Sequence, residues 1–369
     1  MRLAILLEQA LSPVPGGTGR YSVELVKALV GTARADDSVS TWTAAHRDLT
    51  AAFVAGAAGP HRVALPRRGL IAAWSRGVGP RPRHADLVHA PTLLVPPRPR
   101  SGRLVVTIHD VVPWTHPQTL TPRGVAFHHA MAARAADYAD AIAVPTQAVA
   151  AQLLEHVPGL TAERISVLGA GVSDSIRLDP TPERTADVIA RLRLPQRYLL
   201  SLATLEPRKG LDVLLEALAA TASPLPLLLV GQPGWGGLDV PAMAARLGLG
   251  PDRVRVLGRI EDADLAVVLR QATLLCAPSR AEGFGLPIAE AMVAATAVIC
   301  SDDPAQVEVA GGAARVVARE DPAALATAIA ELDGDDSHRS RLEALGRARS
   351  ADFDWTAVGA RAWELYRRL

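Results

Sequence analysis

The sequence predicts an α/β protein made of two doubly wound, parallel-sheet domains. Three observations lead there. The chain has 369 residues, and at ~150 residues per domain two domains fit better than three. Short apolar runs alternate with longer amphipathic ones, the pattern of βα units feeding a parallel sheet. The same pattern starts again at Tyr198, after a polar segment (SDSIRLDPTPERTADVIARLRLPQ) that carries three prolines. In the first half, Leu3–Leu7 reads as the opening strand, SPVPGGTG as a Gly/Pro loop, and YSVELVKALV as a helix from about Arg20. Strands follow at Leu87–His89, Leu104–Ile108 and Ala141–Val144, with a helix from about Val125 to Tyr138 between the last two. In the second half, strands are expected at Tyr198–Ala203, Leu225–Val230, Val254–Leu257, Leu274–Ala277 and Ala297–Cys300. Helices are expected at Leu211–Ala219, Asp264–Gln271 and Leu286–Val293. The polar segment puts a boundary near residues 180–195, dividing the chain into residues 1–183 and 184–352 with a cleft between them. The amphipathic helix Trp355–Leu369 is then free to cap either domain.

Composition narrows the function. Apolar residues make up 49% and charged residues 21%, enough apolar content to bury a large core. Aromatics are 4%, too few for a stacking platform on single strands, and a net charge of +1 excludes whole-chain attraction to nucleic acid. Charge is uneven: residues 1–180 carry net +5 and the remainder −4, so the two halves are expected to meet different partners. Lys27 and Lys209 are the two lysines in an arginine-dominated chain. Cys276 and Cys300 sit in apolar runs and read as buried, reduced core thiols. The apolar stretch after Arg2 ends at Glu8, too short for a secretory signal, and no run reaches the ~18 residues of a membrane span, so a cytoplasmic protein is expected.

The stretch PSRAEGFGLPIAE, Pro278–Glu290, carries the most chemistry. A strand ends, a Gly-rich turn follows, and Pro287 opens a helix, where its missing N–H is no loss. Gly283 and Gly285 let backbone approach a ligand, and the helix start offers unpaired N–H groups at a positive dipole end, which suits a diphosphate. Glu282 and Glu290 are placed to accept from sugar hydroxyls. Arg208 and Lys209, in LEPRKG, emerge at the carboxyl end of the strand before them, where open α/β sheets bind ligands. Two fixed cations there can offset a diphosphate and its charge as a leaving group.

These segments resemble the retaining glycosyltransferases of family four, with the GT-B fold of two Rossmann-like domains facing across a cleft. The run from Leu257 to Asp302 resembles the family's donor site, whose mark is two glutamates with seven residues between them, matched here by Glu282 and Glu290. LEPRKG resembles its diphosphate clamp, VVTIHDVVPWTHP the segment with a cleft histidine (His109), and PVPGGTGRYSVEL its first glycine-rich loop. DFDWTAVGARAWELYRRL resembles its terminal helix, about 353–369, which crosses back to the amino-terminal domain. The resemblance implies that Arg208 and Lys209 bind the donor diphosphate with backbone N–H groups of Phe284, Gly285 and Leu286. It also implies that Glu290 takes the ribose hydroxyls, Glu282 those of the transferred sugar, and backbone at Arg259–Ile260 the base. His109 would lie near the sugar's reactive face and Gly16–Gly17 would close over the diphosphate. It implies retention of anomeric configuration with neither metal nor cofactor. The donor would be a nucleoside diphosphate sugar, with GDP-mannose preferred because TIHDVVPWTHP resembles the form seen in many mannosyltransferases, and a UDP-sugar as the alternative. The resemblance makes residues 1–183 the acceptor-binding domain and 184–352 the nucleotide-sugar-binding domain, with a glycan or lipid-linked acceptor in cell-envelope polysaccharide or glycolipid synthesis. Departures from the family pattern are Ala295 and Ala297, where Gly and Pro are usual, and Ala281, where a bulky residue is usual. They bear on the choice of sugar, since no charged role is removed.

Other signals weigh less. Asp262-Ala-Asp264 matches an Asp-x-Asp metal site on paper but reads better as a helix start. His128 and His129 are adjacent on a helix and point apart, and no HExxH or CxxC spacing exists. GGTGRY lacks the G-x-G-x-x-G of a nicotinamide dehydrogenase, which leaves a catalytically silent nucleotide-sugar-binding paralogue as the rival reading. Nine arginines lie between Arg62 and Arg103 against the single acid Asp86, interleaved with Leu70, Ile71 and Trp74. A basic, partly apolar surface of that kind suits peripheral contact with an anionic membrane leaflet.

Overall fold

A computed structural model describes residues 1–369. The chain forms two compact units, Met1–Gly171 with Asp354–Leu369, and Val172–Phe353. The first unit contains β1 Arg2–Leu6, α1 Gly16–Gly31, β2 Ser38–Thr43, β3 Ala58–Arg62, α2 Arg67–Ser75, β4 Leu87–Ala90 and β5 Arg103–Thr107. It continues with α3 Val112–Thr115, α4 Pro122–Tyr138, β6 Ala141–Val144, α5 Gln147–His156 and β7 Ile165–Val167. Its seven strands are parallel in the order β3-β2-β1-β4-β5-β6-β7. Strands β4 and β6 are buried at every position, as continuous apolar runs in a sheet covered on both faces should be.

The second unit contains α6 Asp174–Arg177, α7 Pro182–Leu192, β8 Leu199–Leu202, α8 Leu211–Ala220, β9 Leu227–Val230, α9 Val240–Arg246 and β10 Val254–Gly258. Then come α10 Asp262–Gln271, β11 Leu274–Ala277, α11 Leu286–Val293, β12 Ala297–Ser301, α12 Pro304–Ala310, β13 Arg315–Val317, α13 Pro322–Gly334 and α14 Asp336–Arg349. The sheet is again all parallel, in the order β10-β9-β8-β11-β12-β13. In each unit the chain winds outward from a central strand and returns to its other side. The strand order therefore reverses between β1 and β4, and between β8 and β11. Ligands of open α/β sheets bind beyond the carboxyl ends of the strands at such reversals.

The division falls at 171/172, not at 183/184. Residues 172–183 belong to the second unit because α6 and α7 are tied to α10 there. Asp264 on α10 pairs with Arg184 at 2.9 Å and Arg191 at 2.6 Å, and Arg270 donates to the carbonyls of Ile176 and Arg177. The last helix, α15 Trp355–Arg368, lies in the first unit. Trp363 is fully buried and donates to the Leu29 carbonyl at 3.0 Å. Tyr366 hydroxyl meets His89 Nδ1 at 2.6 Å, and His89 Nε2 meets Thr107 at 2.8 Å. Burial holds the His89 imidazole down at about 3, so this network is neutral at physiological pH.

Two further expectations need correction. Gly16 and Gly17 are not a free loop: they form the first turn of α1, directly after Pro15, whose ring presets a helical φ. Leu70 and Trp74 on α2 are buried and Ile71 packs against the same core, so the apolar side chains interleaved with the arginines face inward. What remains outside is a rim of arginines, among them Arg62, Arg68, Arg76, Arg83 and Arg100. No helix is long and apolar enough to cross a membrane. Cys276 and Cys300 are unpaired and fully buried, and burial pushes both thiols up to about 12.

Candidate functional site

The second unit builds an ion cluster at its β8/β11 reversal. Arg208 and Lys209 sit on the short turn Pro207–Lys209 that follows β8, and Glu282 on the loop that follows β11. Lys209 Nζ donates to Glu282 Oε1 at 2.5 Å, and Arg208 Nη1 to Glu282 Oε2 at 2.9 Å. Ser279 Oγ donates to Glu282 Oε1 at 2.8 Å, and Arg208 Nε also pairs with Glu206 at 2.8 Å. Burial opposes the charge on Glu282, but Lys209 and Arg208, with the bonds from Lys209 and Ser279, outweigh it and hold the carboxyl down at about 2. The carboxylate is therefore ionised throughout the physiological range.

Two glycines allow this approach. Gly210 has φ +64°, and a Cβ there would lie 2.1 Å from the Pro278 carbonyl oxygen, so only glycine lets the two loops touch. Gly285 has φ +90° and is the N-cap of α11. Having no side chain, it leaves the first N–H groups of α11 without the cap that Thr121 gives α4, Thr146 gives α5 and Asp303 gives α12. Phe284, Gly285 and Leu286 thus lead into an uncapped helix start beside two cations. Glu290 lies on the next turn of α11, 4% exposed. Gly283 is buried in the turn, and Arg259 and Ile260 follow β10, Arg259 exposed and Ile260 packed against the core.

Three residues of this site went unassigned from sequence. Arg280 braces it: its backbone N–H donates to the Arg208 carbonyl at 2.7 Å and Nη1 to the Pro207 carbonyl at 2.7 Å. Its guanidinium is held by Asp212 at 2.9 and 2.7 Å and by Glu320 at 2.7 Å. The β11 loop thus fixes the turn that carries Arg208 and Lys209. Asp303 caps α12, and Gln306 accepts from Ser301 N–H and hydroxyl. An Asp-Pro pair just before a helix is an N-cap signal, the one hint that Asp303 matters.

Asp303 is raised to about 6, chiefly by burial and, after it, by the Glu282 charge, against lowering bonds from the backbone of Gln306 and Glu282 and the charge of Arg319. A raised carboxyl stabilises the fold below its unfolded value of 3.8 and loses that contribution as pH rises through about 6. Asp303→Asn keeps the cap. It should therefore be more stable than the parent at pH 8 by about 1–3 kcal/mol, with the gain fading between pH 6 and pH 4. Urea melts at the two pH values check this, and equal midpoints at both would remove the buried charge from the account.

The first unit carries the remaining expected residues. His109, two residues past β5, donates from Nε2 to the Pro91 carbonyl at 2.7 Å and meets the Tyr21 ring edge-on at 4.8 Å. Burial lowers its pKa, opposed by the Pro91 bond and by Asp110. A carbonyl only accepts, so Nε2 carries the proton and Nδ1 of the neutral ring is an acceptor. His109 lines a cavity of about 320 Å³. Gly16 and Gly17 lie at the α1 start, which also has no side-chain cap.

The weaker signals resolve simply. Asp264 is taken by Arg184 and Arg191, His128 Nδ1 bonds the Gly124 carbonyl, and His129 bonds the Pro113 carbonyl and stacks on Trp114. No three His, Cys, Asp or Glu side chains converge as metal ligands. Ala295, where glycine is usual, has φ +56°, a left-handed conformation that costs a non-glycine residue roughly 1 kcal/mol.

Known proteins share this chain's pattern. It is 28% identical to O-antigen chain mannosyltransferase B of Escherichia coli, over 100% of both chains. It is 35% identical to the phosphatidyl-myo-inositol mannosyltransferase of Mycobacterium leprae, over 44% of this chain and 43% of that one. Sucrose-phosphate synthase from Thermosynechococcus elongatus has the same fold, with a TM-score of 0.78 at 23% identity over 100% of this chain and 98% of that one. HepE of Anabaena, solved with UDP-glucose, matches with a TM-score of 0.78 at 19% identity over 100% of both chains. Residues 15–175 match the Glycosyltransferase Family 4 model and residues 184–349 the Glycosyl transferases group 1 model. The chain belongs to glycosyltransferase family 4 and is a glycosyltransferase of the GT-B fold.

Proposed function

We propose that this enzyme moves a hexose, mannose first, from a nucleoside diphosphate sugar to a glycan or lipid-linked acceptor, with retention and without a metal ion. The observation that carries the reading is the arrangement of Arg208 and Lys209 beside the uncapped start of α11. Two cations and a positive helix end supply the charge that a departing diphosphate needs. Arg208 and Lys209 hold the diphosphate with the N–H groups of Phe284, Gly285 and Leu286. Glu282 takes hydroxyls of the transferred sugar, Glu290 those of the ribose, and the backbone at Arg259–Ile260 the base. His109 receives a sugar hydroxyl, and the α1 start at Gly16–Gly17 offers its N–H groups to the diphosphate. The leaving phosphate oxygen takes the acceptor's proton on the face it vacates, which preserves the anomeric configuration. Mannose is supported by the two mannosyltransferase relatives, and GDP-mannose as its donor by the resemblance of the TIHDVVPWTHP segment. The arginine rim of the first unit suits an anionic leaflet that carries a lipid-linked acceptor, at ~1 kcal/mol per basic residue near the surface.

Thermal shift against GDP, GDP-mannose, UDP and UDP-glucose, each with and without EDTA, tests the reading. Stabilisation by the guanine pair that EDTA leaves untouched, followed by slow release of α-mannose in NMR of the donor alone, is the expected result. Loss of binding with EDTA would overturn metal independence, initial release of β-mannose would overturn retention, and binding without any turnover would favour the silent paralogue.

A further inference from the structure

Gln306, on α12, is 1% exposed, yet half of its amide has no partner in the protein. Oε1 accepts from the Ser301 N–H at 3.0 Å and from the Ser301 hydroxyl at 2.9 Å. A backbone N–H only donates, so the oxygen and not the nitrogen faces Ser301, and the orientation of the amide is settled. Nε2 is left with two N–H donors and no acceptor, on a side chain already held by Ser301. Buried donors left unpaired are costly, so they point to a partner that the chain alone does not supply. Gln306 lines a cavity of about 10 Å³ at the carboxyl ends of β8 and β11, together with Ser201, Lys209, Glu282 and Gly285. That volume takes one oxygen atom. Gln306 Cγ lies 3.6 Å from where a Cβ on Gly285 would stand, which puts the amide beside the start of α11. Donors dominate this space. Lys209 spends one N–H on Glu282 and keeps two, and Gln306 keeps both of its own. Ser201, 2% exposed on β8, has a hydroxyl without a partner in the protein as well. Glu282, the one anion, is already answered, Oε1 by Lys209 and Ser279 and Oε2 by Arg208. A sugar hydroxyl would bring one more proton to a place short of acceptors, whereas a non-bridging phosphoryl oxygen brings lone pairs and negative charge.

We propose that Gln306 is a donor-binding residue: its amide nitrogen donates to a non-bridging oxygen of the phosphate that carries the sugar, an atom it shares with Lys209 and Ser201. The inference rests on the transferase reading above and adds to it a side chain from α12, outside the loops that follow β8 and β11. Glu282, which borders the same cavity, faces the transferred sugar in that reading, so the phosphate adjoining the sugar is the one within reach.

Calorimetric titration with GDP, GMP, UDP and UMP tests it on the parent and two variants. Gln306→Glu keeps an acceptor for Ser301 and sets a carboxylate oxygen where the amide nitrogen stood. It should weaken whichever diphosphate the parent prefers by about a hundredfold. The matching monophosphate should stay within about twofold of its parental affinity, because only the distal phosphate is opposed. A new carboxylate buried beside Lys209 can also cost stability, so Gln306→Met is the second variant. It fills a similar volume with no donor, and should weaken the diphosphate about tenfold while sparing the monophosphate. Parental diphosphate affinity in either folded variant overturns the proposal and leaves the donor reading standing. Equal losses for diphosphate and monophosphate overturn it too, since they would mean only that the segment from Ser301 to Gln306 had been disturbed. A parent that binds none of the four nucleotides sinks both readings.

Discussion

Lys209→Ala lowers kcat/KM by roughly 30- to 1000-fold, about 2–4 kcal/mol of transition-state stabilisation. The ammonium is held before any substrate arrives. Glu282 fixes it at 2.5 Å, Gly210 lets its turn press against Pro278, and Arg280 pins the same turn through the Pro207 and Arg208 carbonyls. A cation whose position is already set loses little on meeting the leaving diphosphate, and negative charge on the bridging oxygen grows as the glycosidic bond breaks. The loss should therefore fall on kcat as well as on KM. Lys209→Arg should restore only part of it, because a planar fork on a longer arm cannot reproduce a point charge 11% exposed in this turn. Steady-state kinetics with varied donor decide the matter. A rise in KM alone would mean the lysine binds substrate and transition state equally, and parental rates would remove it from the diphosphate.

What the sequence made legible follows from where its information is concentrated. Apolar runs such as LLCA, LPIAEAMV and AIAV fell on β11, α11 and β6 because parallel strands covered on both faces, and the helices that cover them, are largely buried. β2 (SVSTWT), β3 (AGPHR) and β7 (ISV) escaped notice: they lie at or near sheet edges, and their polar or very short segments leave no apolar run to read. The donor-site residues were legible because glycine, proline and charge are packed into LEPRKG and PSRAEGFGLPIAE. Arg280 was in plain view there but silent, since its role depends on Asp212 and Glu320, far away in the chain. The boundary was misplaced for a similar reason: the polar segment looks like a linker until Arg184 and Arg191 find Asp264.

Glu282→Gln separates two roles of one carboxylate: it costs stability and turnover yet strengthens the response to nucleotide. In the free protein Glu282 answers both Lys209 and Arg208, and an amide leaves that positive charge less compensated. The cost is about 1–3 kcal/mol, below the roughly 3–5 of a fully buried pair, because Arg208 is 22% exposed and keeps Glu206. The parent's advantage comes from a lowered carboxyl, so it is present above the ordinary value of 4.5 and shrinks as pH falls toward about 2. A diphosphate restores the missing negative charge. GDP or UDP should therefore raise the melting temperature of the variant by more than it raises the parent's. Turnover falls all the same, since the amide keeps one acceptor oxygen where the carboxylate had two for the sugar's hydroxyls. Equal nucleotide shifts in the two proteins would place the diphosphate away from Arg208 and Lys209. Parental turnover in the variant would take Glu282 off the sugar, leaving it as a counter-ion that holds the cations in place until the donor arrives.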